Sequence, residues 1–265
     1  MGSGSGLKRL VSLVQFQPRP PLYIMLSFLI KFPILKRIIP SIIKRLNLKN
    51  FTYNAFGINF RLDLNYFIDR RFYLLGYDDD VINYLNKLIK KDNFNYFLDI
   101  GSCWGLYSLR ISKENPNISI LSFDVFKENI DRLNSMKIEN NFQNITTYNL
   151  AIGEGRKIEK FSVNENYSPN YAKDLDGKFT IEVQQDCIDN LINIKNNLIV
   201  LKIDVERSEL EVLKGAKNLL KDNKCFIVIE TFGRQEKAVL DYLKQYGYRI
   251  VNHNLNTSDY FLKNF

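Results

Sequence analysis

Downstream of residue 94 the chain alternates between short apolar runs and segments in which apolar residues return every three or four positions. The runs predict strands over 96–100, 119–123, 145–150, 198–203, 226–229, 249–252 and 259–262. The helical spacing predicts helices over 107–114, 127–140, 208–220 and 235–246. Strand and helix in alternation predict an α/β fold with a doubly wound, mostly parallel sheet. Right-handed crossovers then bring the carboxyl ends of the parallel strands to one edge, where such folds hold ligands. Upstream, the alternation in 51–64 with a central Gly57 predicts a hairpin. Residues 79–90 read as a helix, and the acids from Asp78 to Asp80 suit its positive end.

The first 50 residues differ in kind. "MGSGSG" reads as a flexible leader, and 7–48 form a basic apolar arm cut by Pro33 and Pro40. Its longest uncharged run, 20–30, is about half of the roughly 20 residues that a membrane span needs. Two short surface helices are expected, docked on an anionic membrane, on the chain's own cleft or on a second subunit. The expected organisation is therefore leader and arm over 1–50 and a globular domain over 51–265, with the hairpin at its start. Without a cleavage site for secretion, the chain is expected in the cytoplasm, peripheral to the inner face of a membrane if the arm docks there.

Charge and cysteine content narrow the function. The net charge of +8 comes from the first 50 residues, which hold nine Lys/Arg and no acid; the other 28 basic residues face all 29 acids. A near-neutral body weakens a nucleic-acid partner. Cys103, Cys187 and Cys225 are widely separated and His253 is the only histidine, so neither a metal site nor a disulfide framework is expected.

The candidate chemistry gathers at the predicted ligand edge. Asp99-x-Gly101-x-x-x-Gly105 ends a strand and opens a helix, a turn bare enough for backbone N–H groups to meet a ligand. It lacks the G-x-G-x-x-G of dinucleotide folds, which counts against an NAD-dependent oxidoreductase. Asp124 ends the next strand, where a carboxylate can accept ribose hydroxyls. "LKIDVERSELEVLKGA" from Leu201 carries Lys202, Asp204 and Glu206 out of a strand. Glu230 and His253 follow two further strands.

In order, "DIGSCWG", "FDVFKENIDRL", "KIDVERSELEVLKGA" and "IVIE" resemble the FkbM-type S-adenosylmethionine-dependent methyltransferases, from about Leu74 to the C-terminus. The resemblance implies a Rossmann-like class I sheet of seven strands with the last antiparallel. It implies methylation of hydroxyls on sugars, glycolipids or small natural products. It implies that Asp99, Gly101 and Gly105 hold the methionine part of S-adenosylmethionine, Ser102 and Cys103 lying in the same turn. Asp124 would take the ribose, with Val125 beside it, and the turn from Asn149 to Ala151 would border the adenine. The chain departs from the pattern at Ser102-Cys103, usually Ala-Asn, at Asp124-Val125, usually Glu-Pro, and at Arg207, usually glycine.

The expected activity is O-methyl transfer to a small-molecule, sugar or glycolipid acceptor. Asp204 or Glu206 would orient and deprotonate the acceptor hydroxyl, Glu230 would hold another hydroxyl, and His253 is the reserve base. Alternatives are a degenerate member that binds cofactor or partner without turnover, the oxidoreductase, and a nucleic-acid methyltransferase. The last lacks an Asn/Asp-Pro-Pro-Tyr motif. A homo-oligomer is compatible with the arm.

Overall fold

The computed structural model describes residue 45 and residues 51–163, 179–254 and 258–265. Apart from Arg45, which is helical, the arm lies outside the described residues. The chain divides into two compact units, Met1–Leu85 and Asn86–Phe265.

In the first unit, β1 (Phe51–Ala55) and β2 (Ile58–Leu62) form the expected hairpin, with Ala55 opposite Ile58. Phe56 and Gly57 turn it with φ of 55° and 67°, the positive pair that matches strand twist in a two-residue turn. Strand parity sets Tyr53 and Phe60 on one face, and α1 (Phe67–Leu75) packs there. Edge-on ring pairs join them, Tyr53 to Phe72 at 5.8 Å and Phe60 to Phe72 at 4.9 Å. The sequence pattern did not reveal α1, whose apolar residues are interrupted by Asp69, Arg70 and Arg71. Asp69 is structural, its Oδ2 accepting the Asp63 N–H at 2.7 Å. The next helix, α2 (Asp79–Asp92), opens on acids and closes on Lys90 and Lys91, both ends complementing its dipole.

The second unit is built on β3 (Tyr96–Ile100), β4 (Ser119–Asp124), β5 (Ile145–Asn149), β9 (Leu198–Ile203), β10 (Lys224–Glu230), β11 (Arg249–Asn254) and β12 (Asp259–Lys263). They form one sheet in the order β5-β4-β3-β9-β10-β12-β11. Every pairing from β5 to β10 is parallel, and β12 runs antiparallel to both its neighbours. The fold is thus the Rossmann-like class I sheet with its last strand reversed. Chain order reverses between β3 and β9, and such a switch point opens a crevice beyond the strand ends.

Helices α3 (Leu106–Glu114), α4 (Lys127–Glu139), α6 (Glu209–Gly215), α7 (Lys217–Asp222) and α8 (Glu236–Gln245) connect the strands, with a single turn, α5 (Ile188–Leu191), before β9. The main core lies on the sheet face that carries Ile100, Ile203 and Ile229, packed with Val212 and Leu213 of α6, Leu220 of α7 and Val239 and Leu243 of α8. Burying such side chains contributes roughly 1.5–3 kcal/mol each.

Two details depart from the sequence-based expectation. The helix expected over 208–220 is two helices that meet at Ala216. Gly215 ends the first, where an added Cβ would lie 1.9 Å from Gly153 O. A second sheet, β6 (Ala151–Ile152), β8 (Phe179–Asp186) and β7 (Lys157–Val163), is inserted after β5. Gln185 and Asp186 are buried in it, so apolar alternation is broken where β8 turns inward.

Among the described residues no helix is long and apolar enough to cross a membrane.

Candidate active site

The turn after β3 is held from three sides. The Gly101 and Ser102 N–H groups both donate to Phe123 O, at 3.0 and 2.9 Å, so the turn is pinned to β4. Gly101 has φ +82°, and an added Cβ would lie 1.8 Å from Asp204 O. Gly105 has φ +88° at the start of α3, and its added Cβ would lie 2.3 Å from Leu133. Both glycines are therefore required by conformation and by space. Cys103 also has positive φ, 49°, without being glycine.

Asp124 closes the turn from the other strand. Its Oδ2 accepts the Cys103 N–H at 2.9 Å, and its Oδ1 accepts Phe126 N–H at 2.9 Å and Asn129 Nδ2 at 3.0 Å. Burial pushes this carboxyl up to about 7, against the pull of those donors. With one bond on Oδ2, a lone pair remains there for a further donor. Val125 is half-buried. Its carbonyl and that of Asp124 accept the Asn149 side-chain amide at 2.9 and 3.1 Å. Ala151 opens β6 and is buried, so the turn from Asn149 to Ala151 borders this same corner. The structure brings all nine proposed cofactor positions to the ends of β3, β4 and β5. Asn129 was not foreseen, because an asparagine inside a helix pattern gives no signal of its own.

Asp99 lies beneath the turn, fully buried. Its Oδ2 accepts the Ser108 hydroxyl at 2.6 Å, and its Oδ1 has no hydrogen-bond partner among the described residues. Burial raises this carboxyl, opposed chiefly by the charge of Lys202. Asp99 and Lys202 are register partners on adjacent strands, hence on one sheet face. Lys202 Nζ is 2.7 Å from Asp204 Oδ2 and 5.0 Å from the Tyr107 ring centroid. Lysine in the strand interior is tolerable because a carboxylate and an aromatic face replace its water.

Asp204, Glu206 and Glu230 converge at the ends of β9 and β10. Burial and then the neighbouring Asp204 raise Glu206 to about 7 and Glu230 to about 8. Glu230 also feels Asp259, its register partner on β12, which sequence reasoning did not single out. A reversed strand that starts at the ligand edge places its first residue there, a consequence of topology rather than of any motif. Glu206 and Arg207 follow one another at φ 50° and 76°, a double left-handed turn that swings the chain from β9 toward α6.

His253 is not brought to these carboxylates. It lies within β11, in register with Tyr260, which pairs with Ile229, and so shares the opposite sheet face from Glu230. Its ring stacks on Tyr260 at 3.8 Å, and the Tyr260 hydroxyl donates to Glu236 of α8 at 2.6 Å.

Among the described residues no group of His, Cys, Asp and Glu has the geometry of a metal site. The residues do fit S-adenosylmethionine. A glycine cradle with no room for Cβ, an orphaned buried Asp99 oxygen and a free lone pair on Asp124 together suit a ligand with an ammonium at one end and hydroxyls at the other.

Known proteins can be set beside this geometry. Among solved structures, methyltransferase FkbM from Methylobacillus flagellatus KT is similar at 19% identity and TM-score 0.47, over 64% of this chain and 43% of that one. The chain thus spans less than half the length of that relative. A methyltransferase-like protein from Streptococcus mutans in complex with SAH matches at 12% identity and TM-score 0.43, over 69% and 95% of the two chains. Precorrin-6y C5,15-methyltransferase from Geobacter metallireducens GS-15 matches at 12% identity and TM-score 0.41, over 69% and 86%. No protein of curated function matches the sequence. The methyltransferase FkbM domain, as a family, matches residues 94–250, more than half of the 265 residues and all of the site up to Glu230. The chain belongs to the FkbM methyltransferase family.

Proposed function

We propose that the protein is an S-adenosylmethionine-dependent O-methyltransferase whose acceptor is a hydroxyl of a sugar, a glycolipid or a related small molecule. The observation that carries this reading is the meeting of Asp204, Glu206 and Glu230 beside the glycine turn, with two of them raised toward neutrality. Bound S-adenosylmethionine supplies an electrophilic methyl group. Asp99 and the Gly101–Gly105 turn would hold its amino-acid end, Asp124 its ribose, and the turn from Asn149 to Ala151 its adenine.

The chain's own residues have two tasks. One is alignment, since displacement at a methyl carbon needs the acceptor oxygen in line. The other is removal of the hydroxyl proton as the new bond forms. Glu206, with its carboxyl at about 7, is half ionised near neutrality and can take that proton. Glu230, at about 8, is mostly protonated there and can donate a hydrogen bond to a second acceptor oxygen. Lys202 holds Asp204 at 2.7 Å and so fixes the third carboxylate of the group. His253, on the other sheet face, is the weaker candidate for base.

The test is methyl transfer from labelled S-adenosylmethionine to a panel of nucleotide sugars and lipid-linked glycans. On the acceptor found, Glu206→Gln should lower turnover by ~100-fold or more if it moves the proton, with cofactor affinity retained. Normal turnover in both Glu206→Gln and Asp204→Asn would overturn the assignment of the base. The basic apolar arm suits docking on an anionic membrane or on a second subunit. Sedimentation of the full chain with anionic liposomes, lost when 7–48 are deleted, would support the membrane; a changed oligomeric mass would support the subunit.

A further inference from the structure

Arg207 has φ 76°, a conformation that glycine adopts most freely. An arginine held in a left-handed conformation carries strain that something must offset. Its backbone is clamped on both sides. The Arg207 N–H donates to Glu209 Oε1 at 2.9 Å, and its carbonyl accepts Gln235 Nε2 at 2.7 Å. The second bond ties the loop after β9 to the loop after β10. Across that tie the Arg207 guanidinium carbon lies 5.9 Å from the Phe232 ring centroid. Phe232 is 42% exposed, one of few large apolar side chains left in water among the described residues, and lies two residues beyond Glu230. The cation and the aromatic face therefore form a lip on the carboxyl edge of the sheet, next to the groups assigned to proton transfer.

The charge of the neighbourhood decides what this lip can receive. If every acid here were ionised, an anionic acceptor would be repelled. Lys202 offsets Asp204, while burial keeps Glu230 mostly and Glu206 partly neutral at neutral pH. Arg207 then adds a positive group at the rim. A guanidinium matches a carboxylate with two parallel hydrogen bonds, and an exposed ring offers an apolar surface to the C–H face of a pyranose. Exposed Arg234 also follows Phe232 in this loop, and the one guanidinium that faces the ring, that of Arg207, matches the single charge of a carboxylate.

We infer that Arg207 and Phe232 form an acceptor subsite for an acidic sugar, a pyranose bearing a carboxylate, that sets the specificity of methyl transfer. This rests on the reading of the chain as a sugar O-methyltransferase.

The experiment titrates the full chain, saturated with S-adenosylhomocysteine, with three matched pairs of methyl glycosides: glucuronide and glucoside, galacturonide and galactoside, mannuronide and mannoside. At least one uronide should bind tenfold or more tightly than its neutral partner. Arg207→Gly should abolish that preference with S-adenosylhomocysteine affinity unchanged; glycine adopts the observed φ freely, so the variant folds. Phe232→Ala should weaken both members of the preferred pair severalfold. Absence of an acidic preference in every pair, or its survival in Arg207→Gly, overturns the subsite and leaves the methyltransferase reading standing. Failure of S-adenosylhomocysteine itself to bind overturns that reading, and the subsite with it.

Discussion

Gly101 and Asp204 are locked together: the backbone of the cofactor turn lies so close to that of the acid loop that a Cβ on Gly101 would stand 1.8 Å from Asp204 O. The Asp204 N–H donates in turn to Ile100 O at 3.0 Å. The turn that would hold the cofactor and the loop that would deprotonate the acceptor are thus a single rigid piece. Gly101→Ala meets both a left-handed φ and a backbone clash that no rotamer relieves. It should destabilise the protein by about 3 kcal/mol or more, measured by urea unfolding.

Lys202 is buried beside Asp204 and opposes the raised carboxyl of Asp99. Lys202→Met keeps the volume and removes the charge, leaving two carboxylates without their counter-ion. The expected loss is roughly 1–3 kcal/mol in denaturant unfolding, below that of a fully buried pair because Asp204 is only partly buried. Lys202→Arg, which keeps the charge, should recover part of it.

Asp124→Ala removes the acceptor for Cys103 N–H, Phe126 N–H and Asn129 Nδ2. Unfolding should show a loss of roughly 1–3 kcal/mol, and S-adenosylhomocysteine affinity should fall by a similar amount. Affinity equal to that of the wild type would remove Asp124 from the cofactor site.

Glu206 and Glu230 give a pH signature. Their ordinary value is 4.5, and folding raises them to about 7 and about 8. Between those limits the folded state binds more protons than the unfolded one, so stability falls as pH rises. Their contribution is fully present below pH ~4.5 and lost through pH ~7–8. Melting temperatures from pH 4.5 to 8.5 should decline less in Glu206→Gln/Glu230→Gln than in the wild type. Turnover should move the other way, rising toward pH 8 as Glu206 ionises, and that limb should vanish in Glu206→Gln.

Much of this architecture was legible in the sequence because the main sheet is buried on both faces, so its strands appear as continuous apolar runs such as 225–229. The motifs at their ends sit where ligand-edge topology places them. The inserted sheet was hidden because Gln185 and Asp186 fill its buried positions; Gln185 Nε2 is satisfied by Gly155 O at 2.9 Å rather than by apolar neighbours. Asp259 was hidden because its proximity to Glu230 depends on β12 running backwards. His253 was misleading for a related reason: parity within β11, invisible until the register with Tyr260 is known, turns it away from the acids.

Isothermal titration of the full chain with S-adenosylhomocysteine, with NAD as the control, tests the central claim most directly. The account predicts a single site with a dissociation constant of about 1–100 μM for S-adenosylhomocysteine, roughly −8 to −5.5 kcal/mol, and no binding of NAD. Silence with S-adenosylhomocysteine, or heat with NAD alone, would contradict it.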